Sequence, residues 1–111
     1  MRFFLSWRIM KKSKAYNYLG LARRAGKVLS GYQTCLHTLG KSPVYLVIVA
    51  SDASQNTKDK FSSLCERHDI SFKIFGTATE LSEATGLPDR GIFAITDQNL
   101  AEAMIKEIEH E

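Results

Sequence analysis

Residues 44–50 read Val-Tyr-Leu-Val-Ile-Val-Ala, an apolar run with no polar break. A run of this length, rich in β-branched residues, marks a central strand covered on both faces and demands a layer of helices on each side. The rest of the chain supplies those layers, because helical and strand patterns alternate throughout. Ser13 can cap a first helix running to about Ala25, with Ala15, Tyr18, Leu19 and Ala22 on its buried stripe. Lys27–Leu29 is a brief strand, and Ser30-Gly31-Tyr32-Gln33 fits a capping box opening a second helix that ends near Gly40. That helix carries Tyr32, Cys35, Leu36 and Leu39 at core spacing. Ser51–Ser54 leads into a third helix with Phe61, Leu64, Cys65 and His68 on one stripe, and Ser71–Phe75 is a strand. Thr77 and Glu80 form a second capping box, and Gly86 stops that helix. Gly91–Thr96 is a last strand, and Asp97 caps a final helix with Leu100, Met104 and Ile108. The expectation is an α/β fold, a three-layer αβα sandwich around a sheet of about four strands.

The 111 residues suit one domain with its own core, and 44% hydrophobic and 24% charged residues are ordinary for a globular chain. The division expected is an N-terminal extension over residues 1–12 and a single domain over 13–111. In Met1–Met10 the apolar run Phe3-Phe4-Leu5 is broken by Ser6 and Arg8, too short for a signal-peptide core or a membrane span. Cys35 and Cys65 both fall on apolar stripes, so two buried thiols in a reducing cytoplasm are expected in place of a disulfide.

Charge is segregated along the chain. All twelve acidic residues lie at or after Asp52, while nine Lys or Arg precede it, among them Arg23, Arg24, Lys27 and Lys41. The net +3 thus conceals a strongly basic N-terminal half, whose surface would attract a polyanion such as a phosphodiester backbone.

Catalytic and metal chemistry find little support. Cys35 and His37 are two apart on a helix and point about 200° away from each other, so they cannot share a metal. Cys65 and His68 share a face, but it is the core face. Gly20, Gly26 and Lys27 mimic a phosphate loop with the wrong spacing, and Val28 stands where a Mg²⁺-binding hydroxyl would be needed. No catalytic residue, metal or cofactor is expected. The second helix is more promising: Gly31 allows a backbone to approach, and Gln33, Thr34 and His37 offer hydrogen bonds to bases or phosphates on its polar face.

From Ser13 onward the sequence resembles the L7Ae/L30e family of RNA-binding ribosomal proteins, most closely its bacterial YlxQ-type members. The matching text is Leu19–Lys27, Ser30–Thr34, Val47 with Ala50–Lys58 and Lys60, Gly76-Thr77 with Glu80-Leu81, and Ala94–Asp97. The resemblance implies an αβα sandwich that binds kink-turn or similarly bulged RNA; association with the ribosome or another ribonucleoprotein is expected, and, from the buried thiols and the lack of an exposed apolar stripe, a cytoplasmic monomer. Family members carry G-x-N-E-x-x-K at the start of the second helix; here Gly31 matches, and Gln33, Thr34 and His37 replace Asn, Glu and Lys. The resemblance further implies that Leu87 packs on an extruded base, with Arg90 near a phosphate and Asp52 in the flanking loop. The candidate RNA contacts are therefore Arg24, Lys27, Gly31, Tyr32, Gln33, Thr34, His37, Lys41, Asp52, Leu87 and Arg90. The competing expectations are a protein-interaction adaptor on the same fold and, more remotely, a small enzyme acting on nucleotides or RNA ends.

Overall fold

The apolar run does form a strand buried on both sides. The computed structural model describes residues 14–87 and 91–110; the expected extension over residues 1–12, Ser13 and Arg90 lie outside them. The elements in order are α1 (Lys14–Arg24), β1 (Val28–Ser30), α2 (Tyr32–Thr38), β2 (Leu46–Val49), α3 (Gln55–Arg67), β3 (Ser71–Ile74), α4 (Ala78–Thr85), β4 (Ile92–Ile95) and α5 (Gln98–Glu109). The sheet order is β1-β4-β2-β3, with β2 parallel to β3 and antiparallel to β4, and β4 antiparallel to β1.

Strand alternation divides the core in two. Leu46, Ile48, Phe93 and Ile95 face α1, α4 and α5, where Tyr16, Leu19, Leu81, Ala101 and Met104 meet them. Val47, Val49, Ile92 and Ala94 face α2 and α3, against Cys35, Leu39, Phe61 and Cys65. Phe61 and Phe93 are wholly buried, and each such side chain contributes about 1.5–3 kcal/mol of transfer free energy. At the β3 edge, Lys73 Nζ reaches Glu109 Oε2 at 2.8 Å. This hydrogen bond holds the Glu109 carboxyl below its ordinary value and puts a charged pair on an edge strand open to mispairing.

Helix ends follow the sequence except at one place. Thr77 and Glu80 form the reciprocal capping box, with bonds of 3.0 and 3.1 Å, and Asp97 accepts the Leu100 N–H at 2.9 Å. The box expected of Ser30 and Gln33 is not formed: Ser30 is the last residue of β1, paired with Phe93, and Gly31 takes the N-cap position. Two core assignments also change. Tyr16, not Tyr18, completes the buried stripe of α1, and His68 is exposed because α3 ends at Arg67 and leaves it outside the last turn.

Candidate functional site

One end of the sheet gathers some of the residues singled out by the sequence. At the end of β1 the chain turns at Gly31, which is buried and has φ 98° and ψ 152°, a conformation open almost only to glycine. Its N–H donates to Ile92 O at 3.0 Å, the start of β4, and its C=O accepts the Cys35 N–H at 3.1 Å as the first bond of α2. Gly31 therefore offers no side chain to the N–H groups of Tyr32, Gln33 and Thr34, which face outward in the first turn. Gln33 and Thr34 are exposed, and so is His37, one turn further along the same helix. Tyr32, expected in the core, is instead 38% exposed. Gly31 pairs with Ile92, one residue beyond the last strand pair of β1, Ser30 with Phe93.

The antiparallel register carries the same edge across to β2. The Ala50 N–H donates to Gly91 O at 2.8 Å, and the Ser51 N–H and hydroxyl both donate to Gly76 O at 2.7 Å. Asp52 Oδ1 accepts the Ala78 N–H at 3.0 Å, at the start of α4, where the helix dipole favours an anion. Asp52 is thus exposed at this edge, with its carboxylate engaged in holding the 51–54 loop. Lys58 Nζ donates to Ser51 O at 2.7 Å, which places a positive charge on the loop that follows β2, at the same end of the sheet as Gly31. Sequence reasoning overlooked Lys58. The available signal was its position in the first turn of α3, where a cation opposes the helix dipole and so serves some other purpose.

The other basic residues lie elsewhere. Lys27 O accepts the Thr96 N–H at 2.9 Å, at the opposite end of β1 and about 13 Å from Gly31 at the rise of a strand. Lys41 lies beyond the C-terminus of α2, beside the same far end. Arg23 and Arg24 belong to the layer opposite α2 and line a groove of about 620 Å³ between α1 and α4, facing Glu80 and Glu83. Leu87 is half-buried against the α1/α4/α5 side of the core. The structure thus brings together Gly31, Tyr32, Gln33, Thr34, Asp52 and Lys58, with His37 one turn away. Among the described residues, it does not bring Arg24, Lys27 or Lys41 to that edge.

The buried cysteines are poor nucleophiles. Burial pushes the Cys65 thiol up to about 11, and burial together with the neighbouring Cys65 pushes Cys35 up to about 12. Among the described residues no cluster of three His, Cys, Asp or Glu side chains could hold a metal, and no helix is long and apolar enough to cross a membrane.

Comparison with known proteins agrees with this architecture. The family model described as "Ribosomal protein L7Ae/L30e/S12e/Gadd45 family" matches residues 13–105. The chain belongs to this family. "RNA-binding protein YlxQ" of Enterococcus faecium is 35% identical over 91 residues, covering 81% of this chain and 86% of that protein. The YlxQ protein of Bacillus subtilis (strain 168) is 33% identical over 87 residues, 78% and 87% of the two chains. Neither name describes an enzyme. Among solved structures, a protein of unknown function from Bacillus halodurans superposes with a TM-score of 0.84 at 30% identity, covering 87% of this chain and 98% of its own. A Giardia lamblia 15.5kD RNA-binding protein gives 0.74 at 16% identity, covering 90% and 87%, a likeness of fold.

Proposed function

We propose that this family member is an RNA-binding protein that recognises kinked or bulged RNA of the kink-turn kind, in the cytoplasm and in association with the ribosome, as a monomer. The observation that carries this reading is the Gly31 turn. It sets the exposed Gln33, Thr34 and His37 on one helix at the sheet edge where Lys58 and the 51–54 loop also end. Regular A-form RNA has a major groove too narrow for side chains to read, so a domain of this kind gains access where a bulge or bend opens the groove. There Gln33 can donate and accept at one base edge, while Lys58, with donors beyond the one given to Ser51, can meet a phosphate. The protein would select the bent form from an equilibrium of bent and extended RNA, acting as a clamp and not as a catalyst. The family assignment and the names of the YlxQ relatives support this reading.

The test is a binding titration at fixed salt with two RNA hairpins of equal length, one carrying a three-nucleotide bulge and one fully paired. Tighter binding of the bulged hairpin, with end-to-end dyes drawn together, is expected. Equal affinity for both would remove the shape preference. Absence of binding to either would remove the function. Co-sedimentation with ribosomal subunits at low and high salt tests the ribosome association separately.

A further inference from the structure

We propose that Tyr32 is a preset stacking platform for one unpaired nucleobase, a role that rests on the RNA-binding reading. The periodicity of α2 aligns Tyr32 with Cys35 and Leu39, both buried, yet Tyr32 is 38% exposed. It has left the core for a specific resting place. Its centroid lies 5.2 Å from that of Phe61 on α3, with the rings at 88° to each other. An edge-to-face contact covers at most one face of a ring, and the 38% exposure of Tyr32 leaves part of the residue in solvent. Phe61 is itself wholly buried, which makes it a fixed post that holds the tyrosine in orientation.

A ring held in this way loses little conformational freedom when a flat partner stacks on it. Its neighbours suit a nucleotide. Gln33 and Thr34 follow it on the exposed first turn, and Lys58, one turn before Phe61 on α3, supplies a cation whose position is fixed by Ser51 O. Every base presents a π-face, so such a platform tolerates sequence, but it requires a base that is out of its pair. It therefore discriminates bulged from fully paired RNA, and the larger purines gain most from it. Aliphatic side chains at this position would give apolar contact without the π-face.

The experiment uses the full chain and two hairpins, one fully paired and one with 2-aminopurine as a single bulged base. Tyr32→Phe should bind the bulged hairpin like the wild type and quench its fluorescence equally. Tyr32→Ala should weaken that complex between about fivefold and about 150-fold and abolish the quench, the range found for loss of one stacked base. The paired hairpin should be unaffected. Tyr32→Leu keeps Phe61 covered and should behave like Tyr32→Ala, which separates stacking from folding. Unchanged binding and quench in Tyr32→Ala would overturn the proposal, and so would an equal loss on both hairpins or full activity in Tyr32→Leu. Failure of the wild type to bind either hairpin would instead overturn the RNA-binding reading, and the platform with it.

Discussion

Replacing Gly76 with alanine tests how the sheet edge is held together. Gly76 has φ 66°, and an added Cβ would lie 2.5 Å from Tyr16 Oη. Tyr16 cannot swing away cheaply: it is 7% exposed, its ring packs 5.0 Å from that of Phe75, and its hydroxyl donates to Glu80 Oε1 at 2.9 Å. A left-handed alanine costs about 1–2 kcal/mol, offset in part by about 0.4–1 kcal/mol from the stiffer unfolded chain. Forcing the hydroxyl off a carboxylate adds about 1.5–3 kcal/mol. Gly76→Ala should therefore destabilise the protein by about 2–4 kcal/mol. In a Tyr16→Phe background the clashing oxygen is gone and the next ring atom is 3.4 Å away, so the same change should cost only about 1 kcal/mol. Urea unfolding followed by circular dichroism gives the four stabilities of this cycle, with midpoints compared at constant m. Equal costs in the two backgrounds, within about 0.5 kcal/mol, would refute the reasoning.

Asp52→Ala removes the acceptor of the Ala78 N–H and should cost about 0.5–2 kcal/mol in the same assay, while Asp52→Asn retains an acceptor and should cost less. The cysteines make stability depend on alkaline pH. Their native pKa values of about 12 and about 11 lie above the ordinary 9.0, so the unfolded chain loses these protons first. Their contribution is complete below pH 9 and declines from there through pH 11 and 12; unfolding from pH 8 to 10 should show a shallower decline in Cys35→Ala/Cys65→Ala. In the native wild type, both thiols should resist a disulfide reagent at pH 8 until urea unfolds the chain. His37→Lys should tighten binding to bulged RNA at low salt and steepen the log–log salt slope by about 0.9, the value of one added phosphate contact. An unchanged slope would mean that position 37 does not face the backbone.

The layers were legible because they follow local rules. Val44–Ala50 announced a doubly covered strand, and one capping box, a helix stop and a further N-cap were written in Thr77, Glu80, Gly86 and Asp97. Gly31 was legible as a site residue, but its consequence was not. Whether Ser30 caps a helix or ends a strand depends on its pairing with Phe93, far along the chain, and that pairing in turn decides that Gly31 takes the N-cap position. The described basic residues of the N-terminal half are dispersed for a related reason. Arg24, Lys27 and Gly31 are close in sequence, but a helix end and a whole strand intervene and carry them to different layers and ends. Lys58 reached the site through the crossover from β2 to β3, and its place in the first turn of α3 was the one local sign of it.

The last strand in the chain is also an interior one: β4 lies between β1 and β2. A nascent chain emerging from the ribosome therefore has a gap in its sheet until Ile92–Ile95 is available, and Gly31 has no carbonyl to receive its N–H before then. The surface assigned to RNA cannot be assembled from the basic N-terminal half alone, although every polar side chain on α2 has already been made. Assembly of the surface proposed for RNA thus awaits β4, and a product cut short before Gly91 would carry α2 without the hydrogen bond that orients its start.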